Sequence, residues 1–266
     1  MKVGALIPVR LASERMPGKA LMPIVGRPAI LHLVERLFAS RYLSPQDVIL
    51  CTTTDESDDP LILIAESVGA RAFRGSRDDI IDRFYFAVAD FGFDAVIEAD
   101  GDDICCDTTY MDLCMDHLLA EPELGVVLTE DLPLGLGSKA IRASAIRTVW
   151  SNHLTERNDT GFMYFFTRTG LCKASRIKPL RPEHVHRKVR LTLDYPEDLA
   201  FFEALFNELY QEGTVFGIDE ITSLLARRPE LIEINSMVDE EYWARTHRLA
   251  QLEYRMDGKI LKIGDQ

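Results

Sequence analysis

Val3-Gly4-Ala5-Leu6-Ile7-Pro8-Val9 is an unbroken apolar run, followed by the polar, Gly- and Pro-punctuated stretch Arg10 to Arg27 and then by Ile30, Leu31, Leu33, Val34 and Leu37 at helical spacing. A strand with one wet face alternates polar and apolar residues, so a run apolar at every position predicts a strand buried on both faces. Pro28 stands in the first turn of the helix that follows, where its fixed φ is already suitable. The opening unit is strand, loop, helix, and it recurs. Val48–Cys51 reads as a strand, Leu61–Val68 as a helix stopped by Gly69, and Arg71–Arg74 as a short strand before a helix carrying Ile80, Ile81, Phe84, Tyr85, Ala87 and Val88. Ala95–Glu98, Tyr110–Leu119 and Val126–Leu128 continue as strand, helix and strand. Such alternation predicts an α/β fold, a mostly parallel sheet with helices on both faces.

The rhythm changes near residue 130. Gly135, Gly137 and a helix near Ala143–Trp150 lead to the aromatic run Gly161–Phe166, which reads as a strand, and the stretch of about 135–185 is expected to form a small inserted lobe. Arg190–Asp194 returns to strand character, Pro196 opens a helix through Leu209, and helices are expected at about 218–227 and 239–256. No repeat, low-complexity tract or Ser/Gly linker divides the chain, so residues 1–266 are expected to be one domain.

Of the 266 residues 47% are apolar and 27% charged, the balance of a folded globular protein. The net charge of −13 argues against nucleic acid or an anionic membrane as partner. That charge is uneven: residues 1–36 carry six cations against only Glu14 and Glu35, a basic island suited to a small anion, or simply a basic helix face. The five cysteines are an odd set without a C-x-x-C pair, as expected in a reducing cytoplasm. Arg10 cuts the first apolar run too early for a secretory leader, and no run reaches the roughly 18 apolar residues of a membrane span. A soluble, cytoplasmic protein is expected.

Arg10, Arg15 and Lys19 follow the first strand, at the carboxyl edge where open α/β sheets bind ligands. Two guanidinium forks and one ammonium suit a polyphosphate, although no Walker loop is present and solvated surface cations are the alternative. Asp100, Asp102 and Asp103 follow the strand Ala95–Glu98 at the same edge, where carboxylates suit Mg²⁺ or form an acidic turn. Asp194 precedes Pro196-Glu197-Asp198 and reads equally as a metal ligand or a helix cap. Asp79 and Arg83 are spaced for an ordinary i,i+4 ion pair, and Thr52, Thr53 and Thr54 are routine for a strand end. His184 and His186 would share one face of a strand but complete no zinc site. Cys105 and Cys106 read as buried small residues.

The motif Ile7-Pro8-x-Arg10…Ser13-x-Arg15-x-Pro17-Gly18-Lys19-x-Leu21 resembles the opening signature of sugar-acid cytidylyltransferases, the CMP-sialate and CMP-ketodeoxyoctonate synthetases, and most of all their spore-coat polysaccharide branch. Phe73-Arg74-Gly75-Ser76, Asp100-Gly101-Asp102 and Arg190-Leu191-Thr192-Leu193-Asp194-Tyr195-Pro196-Glu197-Asp198 continue the resemblance in order over residues 3–210. It implies a Rossmann-like nucleotidyltransferase fold of the glycosyltransferase-A type, a homodimer held by the inserted lobe, and transfer of CMP from CTP to a small acidic sugar with release of pyrophosphate. By the same resemblance Arg10, Arg15 and Lys19 hold the phosphates, Asp102 and Asp194 bind Mg²⁺, and Arg74 and Ser76 contact base or ribose. Lys139 stands where the family often has an acid, and Lys139, Arg157, His184 and Arg187 are the cations expected to meet the acceptor. The aromatic cluster Phe162, Tyr164, Phe165 and Phe166 is expected at the dimer contact. Another nucleotide, another acceptor such as a sugar phosphate or phosphonate, or a silent nucleotide-sugar-binding protein are the rival readings.

Overall fold

The computed structural model describes residues 1–263. Eleven strands and nine α-helices follow in the order β1 (Val3–Pro8), β2 (Pro23–Ile24), β3 (Arg27–Pro28), α1 (Ala29–Phe38), β4 (Val48–Thr53), α2 (Asp59–Ser67), β5 (Arg71–Gly75), α3 (Ile80–Phe91), β6 (Ala95–Glu98), α4 (Thr108–Ala120), β7 (Leu124–Thr129), β8 (Lys139–Arg142), α5 (Ala143–Trp150), α6 (Tyr164–Thr167), β9 (Lys173–Ile177), α7 (Pro196–Leu209), α8 (Ile218–Arg227), α9 (Asp239–Leu249), β10 (Leu252–Met256) and β11 (Lys259–Ile263). Seven strands form the central sheet in the order β5-β4-β1-β6-β8-β7-β9. β8 runs antiparallel to both its neighbours, and the other strand pairs are parallel.

The apolar run that opens the chain is β1, buried from Gly4 to Pro8 between β4 and β6. Its alternate residues feed opposite layers, as a pleat with period two requires. Ala5 and Ile7 pack with Ile30, Leu33 and Val34 of α1 and Met111 and Met115 of α4, while Leu6 packs with Ile81 and Phe84 of α3 and Ile146 of α5. A third cluster joins α7 and α8 to Leu136, Val189, Leu191 and Leu193. The expected lobe at 135–185 is integrated with the sheet, because β8 and β9 are two of its strands.

Three expectations are corrected. Residues 161–166 do not form a strand: Gly161 turns with φ 83° and Tyr164–Thr167 is helical. Phe162, Phe165 and Phe166 recur at i, i+3 and i+4 and are buried in their own chain, so their area is not offered to a second copy. Arg190–Asp194 is extended but is no strand of the sheet: Arg190 makes an isolated bridge with Leu134 in the loop between β7 and β8, and Val189, Leu191 and Leu193 pack toward α7. The last helix stops at Leu249, and Asp257-Gly258, both at positive φ, fold the following residues into the β10–β11 hairpin. Among the described residues no helix is long and apolar enough to cross a membrane.

Candidate active site

The loop leaving β1 is pinned at both ends before it presents a cation. The Leu11 amide donates to the buried Asp58 carboxylate at 2.7 Å, and the Gly18 amide closes back onto the Leu11 carbonyl at 2.8 Å. Lys19 then projects its ammonium between two carboxylates, 2.6 Å from Asp102 Oδ2 and 2.8 Å from Asp194 Oδ1. Arg15 also pairs with Asp194, and its guanidinium lies 5.2 Å from the Tyr195 ring and 5.5 Å from the Tyr242 ring. Arg10 reaches Asp78 at 2.9 Å and Asp159 at 2.7 Å.

Backbone contacts explain why Asp102 and Asp194 meet although 92 positions separate them in the numbering. The Leu193 amide donates to the Asp102 carbonyl at 2.9 Å, which ties the segment before α7 to the loop after β6. That loop passes tightly beside β1: a Cβ on Gly101 would lie 2.8 Å from Val9 Cβ and 2.9 Å from the Pro8 carbonyl oxygen. On the opposite side Gly135, at φ 85°, lies so close to the Leu191 backbone that a Cβ would fall 2.2 Å from its oxygen.

Asp194 is not the cap of α7. Asp198 takes that task, accepting from the Asp194 and Tyr195 amides at 2.9 and 3.0 Å. Asp194 is left for cations: Lys19, Arg15 and the buried Arg190, whose guanidinium donates to it at 2.8 Å and to Asp198 at 2.9 Å. Burial pushes the Asp194 carboxyl up, but Lys19 and Arg15, with Arg190 behind them, outweigh burial and hold it at about 2. Asp102 is shifted the other way, raised by burial and by the charges of Asp194 and Asp100 despite Lys19. Asp103, also buried, is raised well above the usual carboxylate range by burial and by Asp102 and Asp100.

Lys139 does not point a free charge at a ligand. Its ammonium lies 2.9 Å from Glu98 and 2.8 Å from Asp100, and Glu98 is fully buried and pushed up to about 8 by burial and Asp100. A lysine here answers the buried Glu98 and the Asp100 carboxylate at the end of β6.

Two adjoining cavities open at this edge. The smaller, about 160 Å³, is lined by Arg10, Arg15, Lys19 and Asp102, and by five cationic against four acidic side chains in all. The larger, about 380 Å³, is lined by Asp102, Asp194 and Lys139, and by six acidic against three cationic side chains. Arg15, Asp100, Asp102, Asp159, Thr160 and Arg245 line both, so Asp102 stands at their junction, and Asp194, on the wall of the larger, is joined to it through Lys19.

The remaining residues expected at the site lie elsewhere. Arg74 spends its donors on the Thr53 and Asp55 carbonyls and pairs with Asp59 at 2.7 Å, which holds the end of β4. Ser76 accepts from the Asp79 amide at 3.3 Å, a turn contact. His184 is buried, 2.8 Å from both Tyr110 and Asp219, and belongs to the packing of α4 against α8. Arg157 pairs with Glu14 on the surface, and the exposed Arg187 touches the site only through Asp131 at 3.2 Å. Thr53 donates to Asp58 and lines neither cavity.

Asp79 and Arg83 are not an ion pair either. Asp79 caps α3 and accepts from His153 at 2.8 Å and Asn158 at 2.7 Å, while Arg83 donates to the Cys51 carbonyl at 2.7 Å. Burial would push the His153 imidazole down, but the hydrogen bond and charge of Asp79 outweigh it and raise it above its ordinary value. A raised histidine stabilises the fold fully below its unfolded pKa of about 6.5 and loses that contribution as pH rises through the folded value. His153→Ala is therefore expected to lower the melting temperature more at pH 5.5 than at pH 9. An equal loss at both pH values would show that the pair carries no charge.

The five cysteines are free, and burial raises every thiol, Cys105 and Cys172 to about 11. None has the thiolate character of a nucleophile. For a metal, the donors fit a hard divalent cation only in company: Asp102 and Asp194 converge on one point, yet no group of three or more His, Cys, Asp or Glu ligands exists among the described residues. Mg²⁺ is typically held by one or two carboxylates plus phosphate oxygens of a substrate, which is what these two residues offer.

The family model for cytidylyltransferases matches residues 4–221, a span that contains the β1 loop, Asp102 and Asp194. The chain belongs to the cytidylyltransferase family. As a cytidylyltransferase it is 29% identical to the uncharacterized protein MJ1063 of Methanocaldococcus jannaschii over 91% of this chain and 97% of that one. It is 25% identical to the spore coat polysaccharide biosynthesis protein SpsF of Bacillus subtilis over 85% of this chain and 94% of that one. The 3-deoxy-manno-octulosonate cytidylyltransferase of Geobacter sulfurreducens is 31% identical over 46% of this chain and 47% of its own. In fold, a cytidylyltransferase from Leptospira borgpetersenii superposes with TM-score 0.79 at 24% identity, covering 87% of this chain and 97% of that one.

Sequence reasoning had no signal for Asp159, which lies in an irregular loop, nor for Tyr242, Trp243 and Arg245 of α9, which line the larger cavity. Arg190 was within reach: an arginine in an otherwise apolar run of Val and Leu has to find a buried acid.

Proposed function

We propose that this cytidylyltransferase transfers CMP from CTP to a small acidic sugar and releases pyrophosphate, with CTP in the smaller cavity and the acceptor in the larger. The observation that carries the reading is Lys19, held between Asp102 and Asp194 where a basic cavity meets an acidic one. The names of the relatives that act on 3-deoxy-manno-octulosonate support an acidic sugar as acceptor.

The acceptor hydroxyl attacks the α-phosphorus in line and gives up its proton to solvent, the bond from the α-phosphorus to the oxygen bridging to the β-phosphate breaks, and pyrophosphate leaves with that oxygen. Such chemistry depends on positioning and charge neutralisation and needs no protein nucleophile. Arg10, Arg15 and Lys19 exchange their carboxylate partners for phosphate oxygens, and their charge favours the leaving pyrophosphate. Asp102 and Asp194, released from Lys19, are then the residues that would hold Mg²⁺, which neutralises charge at the phosphates when bound.

Lys19→Ala and Arg10→Ala are expected to weaken CTP binding by about tenfold or more and CMP binding much less, because a hydrogen bond to a charged group contributes roughly 1.5–3 kcal/mol and their partners are the outer phosphates. Titration calorimetry with both nucleotides checks this. Equal losses for CTP and CMP would place these cations at the base, ribose or α-phosphate.

A further inference from the structure

The larger cavity has one wall from outside the segment matched to the family. The match ends at residue 221, and α9 begins at Asp239, yet Tyr242, Trp243, Arg245 and Thr246 of α9 line the cavity. The helix is anchored by Tyr242, whose half-buried ring lies 4.3 Å from the Arg190 guanidinium and 5.5 Å from that of Arg15. With Tyr242 fixed, Trp243 and Arg245 are presented beside the Asp102–Asp194 junction.

The cations of that cavity differ in how firmly they are committed. Lys139 is held by a fully buried Glu98 and by Asp100, and Arg15 by the buried Asp194. Among the described residues Arg245 pairs only with Glu14, at 2.6 Å, and Glu14 is half exposed and is also held by Arg157 at 2.8 Å. An ion pair of that kind contributes about 0–1 kcal/mol, so releasing Arg245 costs little and leaves Glu14 still paired. Trp243 is 39% exposed and lines the cavity, so its indole is accessible to a ligand there.

We infer that α9 is the acceptor-recognition element of this enzyme, with Arg245 taking the acceptor carboxylate and the Trp243 ring packing against the C–H face of the sugar. The inference rests on the proposed acidic acceptor. It replaces Arg157, His184 and Arg187, which lie outside the cavity, and Lys139, which is already neutralised inside it. A bidentate guanidinium suits a carboxylate in a way that an ammonium does not.

The test is steady-state kinetics of pyrophosphate release from CTP with 3-deoxy-manno-octulosonate and with nine-carbon 2-keto sugar acids, each alongside its carboxamide. Arg245→Ala should raise the acceptor KM roughly 10- to 100-fold, the effect of losing a charged hydrogen bond, raise the CTP KM by a much smaller factor because Arg245 also borders the smaller cavity, and abolish the preference for acid over amide. Trp243→Ala should raise the acceptor KM for acid and amide alike. Glu14→Gln breaks the same ion pair but leaves Arg245 in place, so it should not raise the acceptor KM. An unchanged KM in Arg245→Ala, or an equal rise in Glu14→Gln, would overturn the role of α9. If the wild-type enzyme turns over none of the acids, the acidic acceptor itself is wrong and the inference falls with it.

Discussion

Asn at Asp102 or Asp194 is expected to lower turnover by at least about a hundredfold, the scale of losing one preorganised charge-stabilising group, because each substitution removes a carboxylate from the junction of the two cavities. The two variants should differ in stability, which separates them from a general unfolding effect. Asp194 is held at about 2 by its three cations, so its ionised form stabilises the native state above the unfolded pKa, and that contribution is lost only as pH falls through the folded value. Asp194→Asn should therefore melt below the wild type at pH 7. Asp102 is raised by burial and by neighbouring acids, so its charge works against folding at neutral pH, and Asp102→Asn should melt at or above the wild type. Initial rates at limiting Mg²⁺ and thermal melts of the same preparations check both halves. Near-wild-type rates in both variants would remove the carboxylate pair from the chemistry.

Arg190→Leu is expected to destabilise the fold by about 3–5 kcal/mol, the range for breaking a buried ion pair from one side. Arg190 is 2% exposed and is shared between Asp194 and Asp198, and its loss leaves two buried carboxylates short of a partner. Asn235, which donates to Asp198 at 2.9 Å, compensates for only part of it. Chemical denaturation gives the number. A loss below about 1 kcal/mol would mean that water reaches the pair, since solvent-exposed pairs contribute no more than that.

Much of the fold was legible because burial follows period. The run Val3–Val9 could only be an interior strand, and the helical spacing of Ile30, Leu33, Val34 and Leu37 named the face that packs on it. Phe162–Phe166 misled because a short aromatic run satisfies both a strand and a helix, and the choice was made by Gly161 and by the space beside Phe84. Arg10, Arg15, Lys19 and Asp102 were legible because each follows a strand at the carboxyl edge of the sheet, whereas Asp194, which follows no strand of the sheet, stood out only through the family resemblance of its motif. The acceptor wall was not, since nothing in Tyr242-Trp243-Ala244-Arg245 shows that α9 returns over residues more than 200 positions earlier. The role of Lys139 was equally hidden, because its partner Glu98 ends a strand that reads as ordinary core.

The most direct measurement is pyrophosphate release by the wild-type enzyme from each of the four nucleoside triphosphates, with and without a panel of sugar acids, in Mg²⁺ and in chelator. The account predicts release from CTP alone, dependent on an acidic sugar and lost in chelator. Equal release from all four triphosphates, release without any acceptor, or full turnover in chelator would contradict it.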